Sequence, residues 1–283
     1  MAKIYILLPV HNRREVTRDF VACLKAQTAG DFHLVLMDDG STDGTADMVR
    51  ENIPDATVLR GNGDWWWAGS LQRGLDWLKE NVTDRDALIL FINDDVRFHP
   101  DYLARAEKVM AGRRHVLMLS RLRSLENGNI GESGITADMK RLRFEVARSA
   151  QDINCLSTRG LFIHWGDVQA IGDFYPRLLP HYLSDYEYTM RARRKGFSCE
   201  TSAELVIEAN QETTGYHSIA ERPFRAYMGR YFSKKSPGNP VYWSSFVMLT
   251  CSPLWIVLNL ARIWAGAARN IFRAMVAPGG RPC

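Results

Sequence analysis

Two apolar runs that close on paired carboxylates constrain this chain more than any other feature. Ala87-Leu88-Ile89-Leu90-Phe91-Ile92 runs straight into Asn93-Asp94-Asp95, and the run at 32–37 ends in Asp38-Asp39. A short continuous apolar run fits a strand buried on both faces, as in a parallel sheet covered by helices. In open α/β sheets, ligands bind outside the carboxyl ends of the strands. Adjacent acids at such a tip form either an acidic surface turn or a cation site, since their charges repel until a cation lies between them. Hard oxygen donors of this kind suit Mg²⁺ or Mn²⁺, with diphosphate oxygens completing the shell.

The pattern repeats along the first half. Strands are expected at 3–10, 32–37, 56–60 and 87–92, and helices at 14–27, after Thr45 and at 68–79, with turn chemistry after each strand. Such alternation gives a mostly parallel sheet flanked by helices. The glycines of Asp38-Asp39-Gly40-Ser41-Thr42-Asp43-Gly44-Thr45 do not follow GxGxxG, and no GxxxxGK[ST] occurs, so neither a dinucleotide fold nor a P-loop is supported. Calcium is excluded because Arg50 stands where an EF-hand loop needs its bidentate glutamate. What remains is an acid that accepts from a base N–H or ribose hydroxyl, or one that caps the next helix through an Asx-turn.

Composition bounds the class. With 283 residues, 46% hydrophobic and 24% charged, the chain can bury a sizeable core and is not a disordered or collagen-like polypeptide. Five scattered cysteines without a CxxC fit a reducing compartment rather than a disulfide framework or zinc site. The first residues read as a strand, not a signal peptide. Charge is uneven: residues 1–221 hold 27 basic and 32 acidic residues, whereas nine basic residues and no acid follow Glu221.

Four further stretches carry chemistry or its alternative. The loop at 61–67 ends in Trp65-Trp66-Trp67, which cannot all face one core, so they stack on a base or sugar or form a lid on the sheet. The middle, 121–148, is polar and reads as a strand-loop excursion, followed by strands at 156–164 and 205–209. Ser184-Asp185 opens a helix ending in Arg191 to Lys195 and Gly196. Asp185 is either its N-cap or a carboxylate facing the cleft, able to take a proton from a hydroxyl. His217 lies in the loop at 213–217 and matters only if the fold returns it to Asp95. In the tail, a helix wound from Leu254 places Arg262, Arg269 and Arg273 within about 20° of one direction, opposite Leu260, Trp264 and Ile271. That arrangement predicts a helix in the membrane interface, with a spanning segment or an oligomer-packing helix as the other readings of 241–276.

In combination these pieces resemble family 2 glycosyltransferases of the GT-A fold over residues 3–217. Pro9-Val10-His11-Asn12-Arg13 is similar to the opening P-x-x-N loop and Asp38 to Asp43 to D-D-G-S-x-D. Ala68 to Gly74 resembles A-G-x-x-N-x-G, with Gln72 for Asn. Asn93-Asp94-Asp95 resembles the D-x-D metal motif, with Asn93 for the first Asp. Ser184-Asp185 resembles the E-D motif, with Ser184 for Glu. The tryptophan loop and Lys234-Lys235-Ser236-Pro237 look like a rhamnosyltransferase-like branch.

The resemblance implies one GT-A domain over 1–235, with a nucleotide-sugar half to about 115 and an acceptor half to 235. A basic amphipathic helical extension over 236–283 follows. It implies an inverting, metal-dependent transfer from a nucleotide-sugar to a hydroxyl of a glycan or lipid-linked acceptor, in envelope polysaccharide synthesis at the cytoplasmic face of a membrane. Asp185 is the implied base. The implied donor contacts are Pro9, His11, Asn12, Arg13, Asp38, Asp39, Gly40, Trp67, Gly69, Arg73, Asn93 and Asp94. Mn²⁺ or Mg²⁺ would be held by Asp95, Asp94 and His217. An anionic membrane surface is the expected partner of 241–276, and no nucleic acid is expected. The other reading is an inactive nucleotide-sugar-binding or scaffold protein at a membrane. A sugar nucleotidyltransferase would want a glycine- and lysine-rich phosphate loop, which Pro9 to Arg14 is not.

Overall fold

The computed structural model describes residues 3–28, 31–131, 134–209 and 224–276. An eight-stranded sheet in the order β3-β2-β1-β4-β9-β6-β10-β5 forms its centre. The strands are β1 (Ile4–Val10), β2 (Phe32–Asp38), β3 (Thr57–Arg60), β4 (Leu88–Phe91), β5 (Arg97–Phe98), β6 (Val116–Ser124), β9 (Leu161–His164) and β10 (Ser198–Ala209). A separate hairpin joins β7 (Ile135–Asp138) and β8 (Arg143–Val146). Strands β1, β2, β3 and β4 are mutually parallel, as are β6 and β10, while β9 and β5 run antiparallel to their neighbours. This is the expected α/β architecture.

Side-chain alternation splits the core into two layers. Ile4, Ile6, Leu8 and Val10 of β1, with Leu88, Leu90 and then Ile92, face one layer. It packs under α1 (Arg14–Lys25), α2 (Thr45–Asn52) and α4 (Tyr102–Met110). Leu7, Ile89 and Phe91 face the other, under α3 (Trp66–Asn81), α5 (Trp165–Ile171) and α6 (Ser184–Arg194). Helix α1 buries Thr17, Phe20, Val21 and Leu24, the i, i+3, i+4, i+7 stripe of an amphipathic helix. Register carries the strand tips to one edge: Pro9 pairs with Met37, Val10 with Asp38, and Asp38 with Arg60.

Several expectations are revised. The strand foreseen at 156–164 begins only at Leu161, and the one at 205–209 is the end of the longer β10, which bulges between Ser202 and Val206. The uncharged stretch 241–261 is two helices, α8 (Pro240–Thr250) and α9 (Pro253–Val276), because Pro253 cannot continue α8. Between them and β10 lies α7 (Phe224–Tyr231). Helix α8 is not peripheral: Phe246 is fully buried beside Leu179 and Leu183. On α9, Asn259 is fully buried and donates to the Met139 carbonyl at 2.7 Å. Among the described residues, no helix is long and apolar enough to cross a membrane.

Candidate active site

The first wall of the cleft is built from backbone amides. Asp39 is buried, and its carboxylate accepts from the N–H groups of Gly63 at 2.8 Å, Trp65 at 2.9 Å and Trp66 at 3.0 Å. Asp38, also buried, accepts from Ser41 N–H at 2.9 Å within the loop, while the Asx-turn at the start of the next helix is made by Asp43. Asp43 accepts from Arg14 N–H and from both the N–H and hydroxyl of Thr45, so one side chain caps α1 and α2 together. These bonds hold the Asp43 carboxyl below its ordinary value, against a counteracting desolvation. The approach is close: a Cβ on Gly40, whose φ is +74°, would stand 2.8 Å from Gly63 N, and one on Gly61 would stand 2.6 Å from the Asp39 carboxylate. Of the Pro9 to Arg13 loop, His11 Nδ1 lies 2.6 Å from the Asp39 carbonyl, and Asn12 accepts from Thr42 N–H at 2.8 Å.

The second acidic tip divides its two carboxylates. Asp94 lies in the turn that follows β4 and is buried against α1. There it accepts from Arg13 Nε at 2.9 to 3.0 Å and from the Thr17 hydroxyl at 2.9 Å. Burial raises its carboxyl above the ordinary value, and Arg13 and Thr17 only partly offset that. Asp94, expected beside the metal, is thus engaged with α1 instead. Asp95 follows in the same turn and shares Arg13 with it. Its Oδ2 lies 3.8 Å from Arg13 and 3.7 Å from Arg159, while its buried Oδ1 has no hydrogen-bond partner among the described residues. Arg159 carried no sequence signal: it sits in an irregular stretch before β9 and meets Asp95 only through the antiparallel β4–β9 pairing.

A buried carboxylate oxygen without a donor costs free energy unless a cation or donor reaches it. That atom suits Mg²⁺ or Mn²⁺, and Asn93, half-buried beside it, suits a hydroxyl or a phosphate oxygen. Among the described residues no group of three or more histidine, cysteine, aspartate or glutamate side chains could hold a metal ion. His217 lies outside the described residues.

The tryptophans take three environments. Trp65 lies under the Arg73 guanidinium at 5.6 Å, and Trp67 donates from its indole to the Thr158 hydroxyl at 3.2 Å. Both pack on the core, with Gly69 buried next to Trp65. Trp66 is the outlier, with φ +58° and its indole N–H on Asp64 at 3.0 Å. Its ring meets His181 edge-on at 5.7 Å, and Lys235 and Lys234 stand over it at 5.6 and 6.0 Å. Lys234 also pairs with Asp64. Burial, then the Lys235 charge, pushes the His181 imidazole down to about 4.

Helix α6 closes the other side. Its N-cap is Leu183 at φ +68°, not Ser184 or Asp185, and Ser184 donates instead to the His181 carbonyl at 3.0 Å. The Asp185 carboxylate stands in the first turn and accepts from Tyr186 N–H at 2.9 Å. One turn further on the same face, the Thr189 hydroxyl bonds both the N–H and carbonyl of Leu156, at the start of the stretch that carries Thr158 and Arg159. Arg191 grips Glu187 bidentately at 2.9 and 3.0 Å and donates to the carbonyls of Ile171 and Asp173, a buried clamp on the loop before α6. Asn12, Trp66 and Leu183 all hold positive φ around this cleft, a cost for side-chain-bearing residues that concentrates at functional sites.

Comparison with known proteins agrees with this geometry. Residues 5–160, more than half of the chain, match the model of the family described as Glycosyl transferase family 2. Over 116 residues the chain is 31% identical to the succinoglycan biosynthesis protein ExoW of Rhizobium meliloti, covering 39% of this chain and 34% of that one. Over 103 residues it is 30% identical to a PGL/p-HBAD biosynthesis glycosyltransferase of Mycobacterium bovis, covering 35% and 38%. The matches thus span little more than a third of either relative. Among solved structures, the mannosyltransferase PcManGT from Pyrobaculum calidifontis, in complex with GDP-Man and Mn²⁺, superposes with a TM-score of 0.58 at 18% identity, over 94% of this chain and 75% of that one. S. aureus TarS 1–349 with UDP-GlcNAc gives 0.58 at 14%, over 96% and 81%. The fold is that of the GT-A enzymes, and the chain belongs to family 2 of the glycosyltransferases.

Proposed function

We propose that the protein transfers a sugar, with inversion, from a nucleotide-sugar to a hydroxyl of a glycan or lipid-linked acceptor in envelope polysaccharide synthesis. The observation that carries this is the buried Oδ1 of Asp95, without a hydrogen-bond partner among the described residues, in a carboxylate between two arginines beyond the tip of β4. The nucleotide-sugars bound by PcManGT and TarS support a donor of that class, and the names of the curated relatives support the acceptor class.

In this reading the Pro9–Arg13 loop, Asp38, Asp39 and Gly40 shape the nucleoside seat. Trp67, Gly69 and Arg73 build the wall beside it, and Asn93 takes a hydroxyl or phosphate oxygen. Mn²⁺ or Mg²⁺ held by Asp95, with His217 a candidate partner, would neutralise charge on the leaving diphosphate. Arg13 and Arg159 add positive charge at the same place. Asp185 removes the acceptor proton as the acceptor oxygen forms its bond to C1 and the C1–phosphate oxygen bond breaks on the opposite face. A single displacement needs no enzyme nucleophile.

The organisation follows from the same reading: a nucleotide-sugar half to about residue 115, an acceptor half to 235, then a membrane-facing extension. Leu254, Val257, Phe272 and Met275 of α9 are largely exposed, beside the stripe of Arg262, Arg269 and Arg273. An apolar face edged by arginines fits peripheral binding to an anionic leaflet on the cytoplasmic side.

The test is a thermal-shift screen of nucleotide-sugars with and without Mn²⁺, followed by transfer to a membrane or glycan extract by wild type and Asp185→Asn. Donor stabilisation is expected in both proteins, with transfer falling about 10²- to 10⁴-fold in the variant. Unchanged transfer in Asp185→Asn removes the base assignment. Donor binding without transfer in the wild type leaves an inactive nucleotide-sugar-binding protein.

A further inference from the structure

Away from the cleft, a cavity of about 820 Å³ opens where the β7–β8 hairpin, the C-terminal end of α6 and the α8–α9 corner meet. Lys140 and Arg141 line it from the hairpin turn, Arg193 and Arg194 from α6, and Trp255 from α9. One acid, Asp138, faces these four cations, and it pairs with Arg141 at 3.1 Å. Arg194 reaches the Leu249 carbonyl at 2.7 Å and stands 4.0 Å from Glu187, which Arg191 already holds. The ion pairs among the described residues leave Lys140 and Arg193 without a carboxylate partner. The transfer chemistry uses none of these groups: Arg194 is nine residues along α6 from Asp185, about 13 Å at the helical rise.

The cavity is fixed to the lipid-facing helix. Asn259 and Arg262 of α9 donate to the carbonyls of Met139 and Lys140, and the Lys140 ammonium lies 5.9 Å above the Trp255 ring. Around α9, Trp255 and Arg262 point within about 20° of one direction at 100° per residue, and the exposed Leu258 and Leu254 follow at about 40° and 80° further round. A basic chamber therefore adjoins an outward apolar strip, with no acid between them among the described residues.

We propose that this cavity binds the phosphomonoester headgroup of a membrane lipid, with the acyl chains lying along the exposed face of α9. Cations converging from two walls suit a phosphate with three unsubstituted oxygens, where a diester would put its substituent against one wall. The proposal rests on α9 lying at a lipid surface, and its test separates the two.

The probes are phosphatidylcholine vesicles carrying either phosphatidic acid or phosphatidylglycerol at matched surface charge, together with soluble dibutanoyl phosphatidic acid and inorganic phosphate by calorimetry. Lys140→Ala/Arg193→Ala is expected to bind phosphatidic-acid vesicles about 25-fold more weakly, two cations at about fivefold each. The same variant binds phosphatidylglycerol vesicles within about threefold of wild type. Ser252→Trp, which puts bulk at the mouth of the cavity and leaves every charge in place, lowers phosphatidic-acid binding selectively, and Arg273→Ala lowers both vesicle types alike. Equal losses on both lipids, or no effect of Ser252→Trp, overturn the proposal. So does inorganic phosphate binding as tightly as the soluble lipid, which marks a small-anion pocket instead. Val257→Glu/Phe272→Glu tests the membrane reading alone: it should abolish binding to all vesicles while the soluble lipid still binds.

Discussion

The two acidic pairs at the strand tips look alike in sequence and differ in what satisfies them. At the tip of β2, Asp39 is bonded to three amides and Asp38 to one, all from backbone within the same loop system. After β4, Asp94 is bonded to an arginine and a buried threonine, and Asp95 leaves an oxygen buried without a partner among the described residues. Three of the four carboxylates hold the site in shape, and one keeps an oxygen that no described residue satisfies. A satisfied acid contributes stability, whereas an unsatisfied one costs stability and is retained where it binds or reacts. The pairs should therefore separate when each member is removed.

The largest effect is expected at Asp95. Asp95→Asn should lower transfer by about 10³-fold, the scale for losing an electrostatic contact that serves the developing charge. It should also abolish any Mn²⁺-dependent rise in Tm while leaving the metal-free Tm unchanged or higher. A variant that keeps the Mn²⁺ shift would show that Asp95 is not the metal-holding residue. Asp39→Ala should do the reverse. Losing one acceptor shared by three amides should cost about 3 kcal/mol in chemical denaturation. Donor affinity should weaken mainly through the loosened 61–66 loop. Asp94→Ala should cost less, about 2 kcal/mol. Its removal strands the Thr17 hydroxyl, but Arg13 is 40% exposed and recovers water. If Asp94→Ala abolishes the Mn²⁺ shift as fully as Asp95→Asn, the division between the two acids fails.

The apolar side of β4 is legible in its alternation: Leu88 and Leu90, and then Ile92, face one layer. The division between Asp94 and Asp95, which lie in the turn beyond β4, is set by Arg13, Thr17 and Arg159 instead. Period two needs no homologue to read. The strand tips, the run of elements in the first half and the separate character of 121–148 were legible for the same reason: local pattern decides them. Other features were set by tertiary contacts that no local pattern encodes. Leu183 takes the N-cap of α6 at positive φ because Ser184 is drawn to His181, although serine and aspartate are the better caps. On α9 a helical wheel shows which residues share a face but not which face the neighbours take. Of Leu260, Trp264 and Ile271, foreseen as the lipid side, Trp264 is exposed while Leu260 and Ile271 are half-buried, and the outward apolar face centres on Leu254 and Phe272. Asn259 on the Met139 carbonyl, Arg262 on the Lys140 carbonyl and Trp264 on the Ser244 hydroxyl fix that rotation.

His181 extends the comparison to a base. Like Asp95 it lines the cleft with a buried polar atom, Nδ1, that has no hydrogen-bond partner among the described residues. Unlike Asp95, it escapes the cost by staying neutral, its imidazole pushed down to about 4 from an ordinary 6.5 by burial and by Lys235. The sign of the pH effect follows from linkage. Below about 6.5 the unfolded chain takes up a proton that the folded chain refuses until about 4, so stability present above 6.5 is lost as pH falls through that window. At pH 5 the loss should be about 1 kcal/mol, with allowance for the solvent that reaches this half-buried ring. His181→Gln should flatten that part of the stability–pH curve and leave the carboxylate-driven fall at lower pH in place. If the curve of His181→Gln runs parallel to wild type between pH 6.5 and 4, the folded chain takes up the His181 proton as readily as the unfolded one, and neither burial nor Lys235 holds the ring neutral.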